Sequence, residues 1–255
     1  MKKIDREAIA AASDSFFSIH TVDSTSSTND RLKKISRDIG SGFVLIAANQ
    51  TGGRGRNGKI FHSRPGGLYM SFILKENKTP QRVMRYTAAA AVAVNRAIME
   101  ICGLETDIKW VNDIEYNGKK LAGILCETAL KAGQNLCEYI IVGIGVNVYT
   151  TDFPDAISHT ATSLRLEGSA DADINLLAAG ILNNFLQYKD SGDMADVYRR
   201  SSCVLNRDVY ISRGGFSRQV RALDIDENGA LIVQEKDGKI LTLDSGLVTL
   251  RKEKF

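Results

Sequence analysis

Asn49-Gln-Thr-Gly-Gly-Arg-Gly-Arg-Asn-Gly-Lys59 is the stretch whose reading decides the fold. Gly53, Gly55 and Gly58 spell G-x-G-x-x-G, the dinucleotide-binding fingerprint. With Lys59 the same glycines spell G-x-x-x-x-G-K, a phosphate-loop pattern. Either motif must open a helix within a parallel α/β sheet. Here Pro65-Gly66-Gly67 follows closely and no helical apolar period intervenes. Ile60 also stands where a phosphate loop needs a metal-binding Ser or Thr. The stretch therefore reads as a glycine-rich loop between two strands, Phe43 to Ala48 and Leu68 to Leu74, and both spellings are accidental.

The loop's chemistry survives the loss of its motifs. Glycines let backbone amides come close to an anion. Arg54 and Arg56 alternate, so both can line one side of an extended loop and offer planar forks to a carboxylate or phosphate. No acidic residue occurs between Asp38 and Glu76, a span holding Arg54, Arg56, Lys59, Arg64 and Lys75. The whole chain carries only +3, so the remainder is net acidic and one region is a concentrated cationic site suited to anionic ligands. A solvated, mobile surface loop is the competing reading of the same composition. A duplex nucleic-acid binder would spread its basic residues over a wider face.

Working outward, a short helix (Asp5 to Ala12) and a strand (Phe16 to Val22) come first. Residues 24–29 then cap a helix ending near Gly40. Pro80 fits the first turn of a long helix that Gly103 closes. Strands Asp107 to Trp110 and Ile114 to Tyr116 lead into Asn117-Gly118, a two-residue hairpin signal before the returning strand Lys120 to Glu127, followed by Tyr139 to Val148. Helical periods occupy Ile174 to Tyr188 and Met194 to Arg200. After Cys203, five short β-runs are separated by Gly214-Gly215, Asn228-Gly229, Asp237-Gly238 and Ser245-Gly246. The expectation is an α+β catalytic domain over 1–202 with a small β-barrel over 203–255.

Length and composition agree: 255 residues, 44% hydrophobic and 25% charged, suit a globular chain of one large and one small domain. Cys102, Cys126, Cys137 and Cys203 lack zinc-knuckle or C-x-x-C spacing, so free thiols in a reducing compartment are expected. The start, Met1-Lys-Lys-Ile-Asp-Arg-Glu, lacks a signal peptide's apolar core. Tyr86 to Leu104 is interrupted by Asn95 and Arg96, short of a membrane span. A cytoplasmic protein with no membrane partner is expected.

Two further clusters carry chemistry. Lys109-Trp-Val-Asn-Asp113 precedes Asn117-Gly-Lys-Lys-Leu-Ala-Gly-Ile-Leu125, where strict alternation puts Lys120 on one face with Ala122, Ile124 and Cys126. Apolar neighbours there suggest a covered sheet surface, although a lysine beside a hairpin is usually solvated. Val142-Gly-Ile-Gly-Val-Asn147 sets small residues in a strand that otherwise reads as core, a sign of close approach by backbone or ligand. His20, His62 and His159 have no motif around them and read as structural.

Taken in order, S-T-N, G-R-G-R-x-G, K-W-x-N-D, K-L-A-G-I-L and G-x-G-x-N resemble the biotin protein ligase family over about residues 15 to 255. The resemblance implies a central mixed β-sheet flanked by helices, the class II synthetase-like fold of biotin and lipoate ligases, plus a C-terminal barrel. It implies biotin and ATP with Mg2+ as substrates, and a biotin carboxyl carrier protein or domain as acceptor. Ser27, Thr28 and Asn29 would then meet the biotin head group, with Gln50 nearby and Tyr69 at the aromatic biotin-site position. Arg54, Gly55 and Arg56 would hold the biotin carboxylate and the nucleotide phosphate, and Lys120 would reach both reacting groups. Gly123 and Gly143 would floor the biotin pocket. Asn112 and Asp113 would serve the nucleotide and its magnesium, Phe61 would stack on adenine, and Asn147 would face the adenine side.

Three departures stand out. Val111 replaces the family's proline, which should relax the backbone there. Phe61 replaces the frequent tryptophan. The first motif is doubled as Asp23-Ser-Thr-Ser-Ser-Thr-Asn29, so Ser24 and Thr25 compete with the favoured second copy. A lipoate ligase is the nearest rival, but its G-G-G tract is missing. A nucleic-acid module would need stacking aromatics among the basic residues, and only Phe61 is near. Fifteen residues precede Phe16, too few for the winged-helix arm of a biotin-dependent repressor, so no nucleic-acid partner is expected. A homodimer is left open.

Overall fold

Runs with a period of two residues become strands and those with a period of 3.6 become helices in the computed structural model, which describes residues 3–213, 216–244 and 249–252. The first part holds α1 (Arg6–Ala12), β1 (Ser18–Val22), α2 (Thr28–Ile35), β2 (Phe43–Ala47), β3 (Leu68–Leu74), α3 (Arg82–Cys102), β4 (Asp107–Lys109), β5 (Asp113–Tyr116), β6 (Lys119–Leu130) and β7 (Cys137–Val146). Three helices follow: α4 (Asp155–Ser158), α5 (Ile174–Tyr188) and α6 (Met194–Arg200). The remainder is β8 (Asp208–Arg213), β9 (Phe216–Ile225), β10 (Leu231–Gln234), β11 (Ile240–Leu243) and β12 (Thr249–Lys252).

Local chemistry sets several of these ends. Gly103 closes α3 in the left-handed region at φ 67°, its amide donating to the Met99 carbonyl at 3.0 Å. Asn117 and Gly118, at φ 50° and 76°, form the primed turn that a two-residue hairpin requires. No α-helix opens behind Gly53, Gly55 and Gly58; only a single 3-10 turn spans Arg56–Gly58. Pro80 stands two residues before α3 rather than inside its first turn.

The large sheet has strand order β1-β2-β3-β7-β6-β5-β4, with β1 and β2 parallel and the other pairs antiparallel. One face is buried under α3 and α5 by the main apolar core, which takes Val142, Ile144 and Val146 from β7 and Ala122 and Ile124 from β6. On the other face α2 covers only a small second core, with Leu32 packed on Leu45, Ile73 and Ile141. Alternation along β6 and β7 turns Gly123, Gly143 and Gly145 to that second face, where α2 leaves bare backbone exposed. The site lies there.

The C-terminal strands form a second antiparallel sheet of order β11-β10-β9-β8-β12. Among the described residues β11 and β12 lie at opposite edges, so hydrogen bonding does not close the expected barrel. The turns at Asn228-Gly229 and Asp237-Gly238 are present, with both glycines at positive φ; Gly214-Gly215 and Ser245-Gly246 lie outside the described residues. The second sheet joins the main apolar core and is tied to the first part through Trp110 and α6. Trp110 donates its indole N–H to the Gly229 carbonyl at 2.9 Å, and Arg199 reaches the Ile225 carbonyl at 2.8 Å.

Candidate active site

Register builds the floor. Gly123 pairs with Gly145, and Gly145 with Tyr69; one row along, Leu125 pairs with Gly143, and Gly143 with Ser71. Above this strip lies a cavity of about 270 Å³. The space each glycine leaves is taken by a neighbouring side chain. A Cβ on Gly143 would collide with the Asn29 amide, and one on Gly145 would meet the Phe61 ring at 2.6 Å. A Cβ on Gly123 would sit 3.1 Å from the Lys120 ammonium.

At one end, buried polar groups satisfy one another. Ser27 caps α2 and Thr28 begins it, so the helix start presents both side chains to the cavity. Asn29 donates both amide hydrogens, to the Leu125 carbonyl at 3.2 Å and to Glu127 at 2.7 Å, and accepts from Ser71 at 2.6 Å. These partners fix which way the amide faces. Gln50 accepts from the Thr28 amide at 2.8 Å and its hydroxyl at 3.1 Å, and donates to Ser63 at 3.1 Å. Gly143 lies directly beneath Asn29.

At the other end the groups are charged. The loop folds back on itself as a tongue, the Gly55 amide donating to Lys59 O at 2.7 Å and the Phe61 amide to Gly53 O at 2.9 Å. Arg54 pairs with Asp30 of α2. Arg56 reaches Asn112 Oδ1 at 3.4 Å, and Lys120 pairs with Asp113 at 2.6 Å. The Lys120 ammonium also lies 5.8 Å from the Phe61 ring centre, within cation–π range. Burial lowers the pKa of Arg56, opposed by the charge of Asp113 and by Tyr198, yet a guanidinium stays protonated.

The structure brings together Ser27, Thr28, Asn29, Gln50, Arg54, Gly55, Arg56 and Phe61 around this cavity. Asn112, Asp113, Lys120, Gly123 and Gly143 complete the expected set on its walls. Ser24 and Thr25 stay outside: Ser24 accepts from Asn49 at 3.1 Å, and Thr25 pairs with Gln50 only through its backbone. Asn147 and Tyr69 are not on the cavity wall. Asn147 donates to the Thr162 carbonyl at 2.9 Å, while its buried Oδ1 has no partner. Tyr69 is on the correct face but runs behind Phe61 and donates to the Arg64 carbonyl at 2.6 Å; burial holds its phenol well above the ordinary range.

The facing of Lys120 corrects the expectation from alternation. Ile114 pairs with Ala122, but the next residue, Glu115, pairs with Lys120, so Leu121 is the extra residue of a β-bulge. One inserted residue flips the side chain to the opposite face. Lys120 therefore lies over Gly123, while Ala122 and Ile124 point into the main core. The peptide bond between Trp110 and Val111 is cis. Two wall residues, Gly145 and Lys109, and one buried behind the wall, Ser71, lie outside the expected set. Gly145 was visible in the G-x-G pair. Lys109, held by the buried Glu115 at 2.6 Å, and Ser71, whose hydroxyl donates to Asn29, carried no signal of their own. Burial disfavours the Lys109 charge, but the hydrogen bond and charge of Glu115 outweigh it and raise the pKa.

Comparison with known proteins agrees with this arrangement. The profile of the Biotin/lipoate A/B protein ligase family matches residues 21–147, and that of the Biotin protein ligase C terminal domain matches residues 205–251. The bifunctional ligase/repressor BirA of Bacillus subtilis is 35% identical over 222 residues, which is 80% of this chain and 65% of that protein. This chain thus spans just under two thirds of that relative's length. The biotin–[acetyl-CoA-carboxylase] ligase of Mycobacterium tuberculosis is 30% identical, with 94% of this chain and 92% of that one covered. The solved biotin protein ligase from Aquifex aeolicus, in complex with biotin and ATP, is similar with a TM-score of 0.78 at 27% identity, over 92% of this chain and 99% of that one. With both family profiles in sequence order and a relative matched over nearly its full length, this chain belongs to the biotin protein ligase family.

Proposed function

We propose that this chain joins biotin to ATP as biotinyl-adenylate and passes the biotinyl group to a lysine of a biotin carboxyl carrier protein or domain. The observation that carries this reading is one cavity with a neutral hydrogen-bonding end and a cationic end over a glycine floor. A biotin carboxylate oxygen attacks the α-phosphorus of ATP and pyrophosphate leaves. The carrier's lysine amine then attacks the acyl carbon and AMP leaves. The first step brings two anions together, so the site needs preorganised cations rather than a nucleophile. Lys120 and Arg56 serve as those cations, Arg54 after parting from Asp30. Ser27, Thr28, Asn29 and Gln50 face the neutral head group over Gly143. Phe61, on the cavity wall beside Gly145, suits the ring of adenine.

Magnesium fits as an ion carried on the nucleotide. Such an ion takes one or two carboxylates plus phosphates, and Asp113 would supply one carboxylate. Bound there, it would neutralise phosphate charge. We assign residues 1–202 to the ligase unit and 203–255 to the C-terminal unit.

The test is incubation with ATP, Mg2+ and either biotin or lipoate, followed by mass spectrometry of the products. Biotinyl-adenylate with release of pyrophosphate is expected. Preferential lipoyl-adenylate, or no adenylate, would overturn the reading.

A further inference from the structure

Between the two matched segments lies α6, whose Tyr198 is fully buried and donates its hydroxyl to the Val111 carbonyl at 3.2 Å. Val111 immediately precedes Asn112 and Asp113. The residues after α6 grip the same hairpin: the Ile108 amide donates to Ser201 O at 2.7 Å, and the Cys203 amide to Ile108 O at 3.1 Å. Asn112 is tied on its other side to β6, donating from Nδ2 to Ile124 O at 2.8 Å and accepting the Ile124 amide at 2.9 Å. The turn 110–112 therefore has backbone held from β6 and from the 198–203 segment, and only the Tyr198 hydroxyl holds the carbonyl next to the polar pair among the contacts described. Tyr198 also lies close enough to Arg56 and Asp113 to interact with both charges.

We propose that Tyr198 is a positioning residue for the nucleotide: its hydroxyl fixes the Val111 carbonyl, and with it the Asn112–Asp113 pair that faces Arg56 and Lys120. This role rests on the reading of the cavity as the place where ATP meets a carboxylate. It predicts an effect confined to one end. Ser27, Thr28, Asn29 and Gln50 are held by α2, by Ser71 of β3, by Ser63 and by Leu125 and Glu127 of β6, and none of these residues bonds the Tyr198 hydroxyl.

The experiment compares the full chain with Tyr198→Phe, which keeps the ring that fills the core and removes one hydrogen bond. The KM for ATP is expected to rise about five- to tenfold, the factor that one buried hydrogen bond supports, with kcat within about twofold. The Kd for biotin without ATP stays unchanged. Amide exchange over residues 108–124 accelerates while the rest of the chain is unaffected. An unchanged KM for ATP beside a lowered melting temperature would make Tyr198 a core tyrosine and overturn the proposal. Unchanged exchange over 108–124 would overturn it too, whatever the activity. A parent chain that forms no adenylate defeats the reading of the cavity instead, and the exchange measurement still judges Tyr198 separately.

Discussion

At one end of the cavity Asn29, Thr28, Gln50 and Ser71 satisfy one another through buried hydrogen bonds; at the other, Lys120 and Arg54 are paired with Asp113 and Asp30. Apart from Glu127, which Lys33 also pairs, the first network consists of neutral groups that an incoming anion does not replace. Thr28, Asn29 and Ser71 are buried and Gln50 is half-buried, and leaving a buried group unsatisfied costs about 1–3 kcal/mol. The ion pairs are different. Their side chains are between a quarter and under a half exposed, where such pairs contribute about 0–1 kcal/mol. An incoming carboxylate or phosphate can replace those carboxylates at little cost. The comparison teaches that one end is shaped before the ligand arrives, while the other rearranges around it.

The most severe way to break the comparison is Lys120→Met. A cation aimed at the developing phosphate charge contributes typically about 10²–10³ in rate. Adenylate formation, followed by pyrophosphate release, should fall by that order while the melting temperature barely changes. An unaltered rate would make Lys120 an ordinary hairpin lysine.

A matched pair of glycine substitutions sharpens it. Gly143→Ala pushes a methyl group into Asn29, which three hydrogen bonds hold in place. Biotin affinity, measured by calorimetry, should drop about 10- to 100-fold, corresponding to one or two lost buried hydrogen bonds. Gly145→Ala pushes instead into Phe61, which rides on the tongue and can swing away. A change in ATP affinity of about threefold is expected, since only a ring contact is disturbed. Equal losses from both variants would show that the two ends are equally rigid.

The smallest effect concerns the base of the tongue. Burial, and then the charge of Arg64, lowers the pKa of His62 from its usual 6.5, with Asp152 opposing, and its Nε2 is buried without a partner. The unfolded chain therefore takes up the proton first as pH falls. Stability from this residue is complete above pH 6.5 and is lost as pH drops from 6.5 toward the lowered folded value. Melting curves of the parent and His62→Asn should diverge only in that acid window, the parent losing stability faster. Parallel curves would place His62 in solvent at every pH.

Much of the fold was legible because its signals are local. The helices Ile174–Tyr188 and Met194–Arg200, the left-handed Gly103 and the Asn117-Gly118 turn each depend on residues within a few positions of one another. The same holds for rejecting a helix behind Gly58, since Pro65 and the missing apolar period lie within eight residues. The motifs likewise named most of the cavity wall, because side-chain chemistry does not depend on the fold that gathers it.

What only the tertiary structure decided are matters of partnership. Lys120 faces the site because a bulge arises where β6 meets β5, and a bulge belongs to a strand pair rather than to either strand. Ser27–Asn29 prevail over Ser24–Thr25 because α2 begins at Thr28 over Gly143, a residue more than a hundred positions away. Asn147 and Tyr69 leave the wall because Thr162 and Arg64 take their hydrogen bonds. Lys109 and Tyr198 matter through Glu115 and Val111, which they meet only after the chain has closed. Sequence by itself determined which groups were available and which segments were helix, strand or turn, since those follow from short-range sterics and periodicity. Register, facing and charge pairing depend on contacts between distant segments, and only the packed sheet supplies them.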